Sequence, residues 1–155
     1  MSSIPGSTSH DTHLAPVRRA ATAVGTVFLL VGILGFIPGV TSNIASLTGA
    51  GRDSGALLLG VFQVSILHNV VHLLFGIAGL ALARTVRGAR NYLIGGGVIY
   101  LVLWLYGLVA DPDSSANFVP LNNADNWLHL VLGIGMIVLG VALGRTRRTA
   151  PAGTP

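Results

Sequence analysis

Three histidines, His68, His72 and His129, are the side chains of this sequence best suited to chemistry, because each stands inside a long apolar run that holds no Asp, Glu, Lys or Arg. Imidazole titrates near neutral pH, ligates metals through a neutral nitrogen and hydrogen-bonds through either ring nitrogen. In lipid such a group is costly, so it turns toward a protein interior or a cavity. Residues three or four apart share a helix face; His68, Asn69 and His72 are therefore expected to form one polar patch, and Asn126 with His129 a second. Gln63, Tyr100, Trp104 and Tyr106 are candidates for further lining.

Several chemistries compete for these residues. The expected one is structural: His68, Asn69, His72, Asn126 and His129 hydrogen-bond across helices and fix how they dock, with no cofactor. A rival is redox: imidazoles from two helices ligate haem iron, or His68, His72 and His129 hold a metal. A third is a small-molecule, lipid or quinone pocket that opens outward, rimmed by Phe118, Trp127 and the polar run from Asn117 to Asn126. Trp127 has a simpler role as an interfacial anchor. The spacing of His68 and His72 lacks the glutamate of a metalloprotease H-E-x-x-H, and a chain without cysteine has no thiolate ligand, disulfide or c-type haem motif. Paired carboxylates, phosphate loops and catalytic triads have no candidates, so no catalytic residue is assigned and an enzyme is the less expected class. The apolar runs also lack the carboxylates that carry ions or protons in transporters.

The elements that must position these residues follow from composition. Of 155 residues, 52% are apolar and only 9% charged, against roughly 25% charged in soluble domains. A helix needs about 20 apolar residues to cross a hydrocarbon layer ~30 Å thick. Four runs meet this, at about 20–40, 57–83, 92–110 and 127–144. Helices are expected, because lipid leaves backbone groups no other partner and the alternation of a β-barrel is absent. Pro38 and Gly39 are expected to end the first helix. The fold class is thus all-α, a four-helix transmembrane bundle within a membrane domain over 18–148. Polar connections are expected at 41–56, 84–91 and 111–126, the last with Asp111 and Asp113 flanking Pro112 in a solvated turn. The tails, 1–17 and 149–155, are expected to be disordered.

Orientation follows from arginine, which supplies all nine basic residues. Arg18, Arg19, Arg84, Arg87, Arg90, Arg145, Arg147 and Arg148 fall on one side of the four runs, and Arg52 with Asp53, Asp111, Asp113 and Asp125 on the other. The arginine-rich side is expected to be cytoplasmic, with both termini. The net charge of +4 therefore needs no nucleic acid to explain it; the expected partner is the bilayer. A secretory signal peptide is the competing reading of the first run, but that run exceeds the usual ~7–15 apolar residues. Arginine without lysine, amid abundant Ala, Gly and Val, suits a GC-rich bacterial genome.

Two of the runs begin alike. His68-Asn69-Val70-Val71-His72-Leu73-Leu74-Phe75-Gly76-Ile77 aligns without a gap on Asp125-Asn126-Trp127-Leu128-His129-Leu130-Val131-Leu132-Gly133-Ile134, sharing N-x-x-H-L-x-x-G-I. Gly25 and Gly35 match Gly97 and Gly107 more weakly. Two duplicated hairpins related by an axis along the membrane normal are expected. Helix contacts should use small residues, among them Gly76 with Gly79 and Ala83, and Gly140 with Gly144. Such faces could also join copies of the chain, or other proteins, in an oligomer.

The run His68-Asn69-Val70-Val71-His72 with Gly76 and Arg84, followed by Pro120-Leu121-Asn122 and Ala124-Asp125-Asn126-Trp127-Leu128-His129 with Gly133, resembles the bacterial membrane family called domain of unknown function 4383. The likeness covers roughly Arg18 to Arg145. It implies a small four-span protein of the bacterial cell membrane, common in actinobacteria, and brings no catalytic residues with it. The Asn and His positions that recur in that family correspond to His68, Asn69, His72, Asn126 and His129.

Overall fold

Pro16 opens the first helix, α1 (Pro16–Leu34), at a position where the missing N–H costs nothing. The computed structural model describes residues 15–50, 53–109 and 122–144. Expectations for the tails up to residue 14 and from 145 on, for Arg52, Arg145, Arg147 and Arg148, and for Asp111–Asp113, Asn117, Phe118, Pro120 and Leu121 lie outside the described residues. Residues 16 and 17, read as tail, are helical.

α1 stops about a turn before Pro38 and Gly39. Its last carbonyl finds partners in the chain that follows: Thr41 Oγ1 donates to Leu34 O at 3.0 Å and the Ile37 N–H to the same oxygen at 3.1 Å. Beyond it the connection folds into an antiparallel sheet in the order β1 (Thr41–Ser42), β2 (Leu57–Leu58), β3 (Phe62–Gln63), with a 3₁₀ turn at Ile44–Ser46. Leu57–Gln63, read from sequence as the start of the second span, is thus sheet. The reason is local. Leu59 and Gly60 sit at φ 53° and 71°, closing the β2–β3 hairpin, and the Ser65 hydroxyl accepts the His68 N–H at 3.1 Å to start a helix only at residue 66.

That helix, α2 (Ile66–Leu82), has 17 residues and is about 26 Å long. α3 (Val86–Val109) and α4 (Asn123–Leu143) follow. α1, α3 and α4 are long and apolar enough to cross a membrane; α2 is a shorter apolar helix. α3 begins ahead of the run expected at 92–110 and carries Arg87 and Arg90 in its first turns. α4 likewise starts before Trp127, because Asn122 and Asp125 form a capping box.

α1 packs on α2 and α3 on α4, and α1 meets α3 between the two pairs. Glycine sets the approach. A Cβ placed on Gly25 would lie 3.1 Å from Gly76 O, and one on Gly97 2.7 Å from Gly133 O. Gly140 receives Leu93 and Ile94, and the Arg90 side chain lies against Gly144. These faces are consumed within the chain. Bulky residues such as Val27, Leu74, Val102, Leu105 and Val131 point outward, while Phe28, Tyr92, Leu93, Tyr100 and Met136 are buried with the glycines. Small residues within and large apolar ones without is the arrangement that suits lipid as solvent. Opposite the sheet, Arg18 Nε donates to Ala83 O at 2.9 Å, joining the start of α1 to the end of α2.

Candidate functional site

Ser65, by capping α2, places His68 in its first turn and His72 one turn further along the same face. The His72 Nδ1 lies 2.9 Å from His68 O; a carbonyl only accepts, so Nδ1 carries the proton and Nε2 of the neutral ring presents its lone pair. The two imidazoles stack, with centroids 4.3 Å apart and planes within 7°. Tyr100 of α3 brings its hydroxyl to 3.4 Å from that Nε2, a long separation for an O–H donor. Across from it the His129 ring of α4 meets Tyr100 edge-on at 5.0 Å. Behind these rings Phe28 packs on His72, Phe75 and Tyr100, with centroids 5.5, 5.0 and 5.3 Å away. Helices from both pairs therefore meet in one aromatic knot.

Among the described residues, two cavities flank the knot. The larger, about 390 Å³, lies between α2 and α3; His68, His72, Tyr100 and His129 form its polar part, and Leu67, Val71, Phe75, Ile99 and Leu103 are among its apolar walls. Its volume falls in the range of small-molecule sites, ~300–1,000 Å³. Leu67, Val71 and Ile99 are also exposed on the outer surface, so the cavity opens sideways between the helices. The smaller, about 100 Å³, lies under the sheet and shares the three histidines and Tyr100, with Asp125 in its wall. His129 is 4% exposed and its Nδ1 has no hydrogen-bond partner.

The five residues read from sequence as one polar cluster divide. His68, His72 and His129 converge on the cavity with Tyr100. Asn69 does not: one residue past His68 is about 100° around the helix, and its fully buried amide packs on Gly35 of α1. Both Asn69 amide atoms lack partners, as does Asn126 Oδ1. Trp104 and Tyr106 line neither cavity, and Gln63 serves the sheet, its side-chain amide donating to Ser54 O at 2.8 Å. Trp127 is exposed at the start of α4. Among the described residues, no three His, Cys, Asp or Glu side chains stand where they could hold a metal ion.

Sequence reasoning missed Phe28, Phe75 and the work of Asp125. Phe75 was within reach, since it follows His68 and His72 on the i, i+4, i+7 face. Phe28 had no signal, because only tertiary packing brings it there. Asp125, taken as an acid on the outer side, is 2% exposed; its carboxylate accepts the Gln63 N–H at 2.9 Å and the Asn122 N–H at 3.2 Å, pinning β3 to the start of α4.

Four apolar helices, three of them membrane-length, around a sideways-opening cavity with imidazoles in its wall define an all-helical bundle compatible with a membrane. The chain belongs to the family described as Domain of unknown function (DUF4383), whose sequence profile matches residues 18–142. No curated protein and no solved structure gives a match to it.

Proposed function

We propose that this chain is a multi-pass protein of the bacterial plasma membrane that binds a lipid-soluble small molecule in the cavity between α2 and α3. The observation that carries this reading is the cavity itself: about 390 Å³, walled by aliphatic and aromatic side chains, with three imidazoles and one phenol as its polar groups. A purely structural histidine cluster would close on itself, yet His129 Nδ1 is buried without a partner beside that space, and buried polar groups ordinarily have one. Asn69, whose amide packs on Gly35 of α1, belongs instead to the contact between α1 and α2. Metal ligation is less favoured because, among the described residues, no three His, Cys, Asp or Glu side chains stand where they could hold a metal ion.

The bundle is read as two duplicated hairpins. The caps Ser65 and Asn122 stand at matching places before the shared motif, and the contacts of Gly25 with Gly76 and of Gly97 with Gly133 join residues that also match. The end bearing Arg18, Arg84 and Arg90 is assigned to the cytoplasm on the charge rule. A reporter active only in the cytoplasm should work when fused after Arg148 and fail near Ser114; the reverse result inverts the assignment.

Ligand binding is tested by extracting purified protein and identifying co-purified hydrophobic molecules by mass spectrometry. One species should accompany the native chain and be lost from Val71→Trp, which fills the mouth of the cavity. A Soret band, or stoichiometric metal, abolished by His72→Ala and His129→Ala would replace this reading with the redox one.

A further inference from the structure

Resting on that reading, we infer that the ligand carries a hydroxyl group, a phenol above all, and that this hydroxyl donates to His72 Nε2 while its apolar tail leaves between α2 and α3.

The hydrogen-bonding capacity of the cavity wall leads to this class. His72 Nδ1 is engaged as a donor to His68 O at 2.9 Å, so Nε2 is left as an acceptor. The only donor facing it among the described residues is the Tyr100 hydroxyl, at 3.4 Å, beyond the usual ~2.5–3.0 Å of an O–H donor. That acceptor is underused. A ligand hydroxyl satisfies it and can accept from Tyr100 in return, giving a chain from the phenol of Tyr100 through the ligand and His72 to the His68 carbonyl, in which each bond polarises the next. A ligand carbonyl or ether offers no proton to Nε2 and competes only for the Tyr100 proton. His129, 4% exposed with Nδ1 unpartnered, adds a second imidazole on the α4 side of the same space.

The walls select the rest of the molecule. Phe75, Tyr100 and the stacked pair of His68 and His72 present ring surfaces, which suit a flat aromatic head. Leu67, Val71 and Ile99 are 40%, 49% and 51% exposed where the cavity reaches the outer surface, so a tail can pass from the head site into the surrounding hydrocarbon. A molecule dissolved in the bilayer would reach the histidines laterally, without crossing water.

The test uses the full chain in lipid nanodiscs with para-octylphenol and its methyl ether, para-octylanisole, which differ in the single proton at issue. Retention by equilibrium dialysis is compared with protein-free nanodiscs, and the ¹⁵N resonances of labelled histidine report on His72 Nε2. The expected result is that the phenol is held at least about tenfold more tightly than the ether, that it moves the His72 Nε2 resonance upfield, and that His72→Phe abolishes the preference. Val71→Trp should exclude both probes. Equal retention of the two probes, with both excluded by Val71→Trp, would overturn the hydroxyl assignment and leave the cavity reading standing. A phenol preference that survives His72→Phe would overturn the choice of acceptor. If neither probe is retained above protein-free nanodiscs, the cavity reading itself falls.

Discussion

The pair α1–α2 and the pair α3–α4 are built alike but do different work. In each, glycine meets glycine across the contact, and in each the second helix starts from a polar cap in the same register. They part at the aligned positions His68 and Asp125. His68 gives its backbone N–H to Ser65 and turns its ring onto His72 and the cavity. Asp125 accepts two backbone N–H groups and holds β3 against α4. The cause lies above the helices. The sheet grows from the connection between α1 and α2 but lies over the start of α4, where Asn122 Nδ2 also donates to Val61 O at 2.7 Å. One helix start is therefore bound to the sheet, and the other contributes its imidazoles to a space. Matching sequence positions acquire different chemistry because their neighbours differ.

The largest effect should come from closing the glycine contacts, and it should be unequal. A Cβ on Gly76 would stand 2.6 Å from the Leu29 backbone nitrogen and 2.8 Å from Gly25 O, whereas one on Gly133 would meet the Leu101 side chain at 2.8 Å before Gly97 O at 3.0 Å. Backbone cannot yield as a leucine end can. Gly76→Ala is expected to cost about 2–3 kcal/mol and Gly133→Ala about 1 kcal/mol, read from denaturation in mixed micelles. Equal losses would mean that the two pairs pack with the same tolerance.

Asp125→Ala comes next. It leaves the Gln63 and Asn122 N–H groups without their acceptor, at about 1–3 kcal/mol, and should loosen the sheet, seen as faster amide exchange at Gln63. Unchanged exchange there would break the distinction drawn between the two helix starts. His68→Ala should have the smallest effect on stability, within about 1 kcal/mol, since its ring makes a stacking contact with His72 and, among the described residues, no side-chain hydrogen bond. Its consequence should appear in ligand retention. A loss comparable to that of Asp125→Ala would return His68 to a structural role.

Much of this was legible without coordinates. The apolar runs, the absence of charge within them and the shared face of His68 and His72 follow from composition and helical spacing. The patch expected of His68, Asn69 and His72 did not hold together, because adjacent residues stand about 100° apart around a helix. What sequence could not supply was the fate of Leu57–Gln63. Leucine, valine and phenylalanine at that density read as helix in lipid, and the opposing signals, the turn at Leu59–Gly60 and the cap at Ser65, are single residues whose weight depends on Thr41 and Ser54 pairing with them from a distance. Ser54 Oγ, which donates to Val64 O, is such a partner.

The primary sequence alone determined how apolar its helices are and where arginine gathers beside them, because transfer free energy and charge add up residue by residue along a chain. Which polar groups meet was decided only in three dimensions. A cavity belongs to no single segment: Phe28, His72, Tyr100 and His129 come from four helices, and the space beside them exists because those helices, held close by glycine elsewhere, stand apart there.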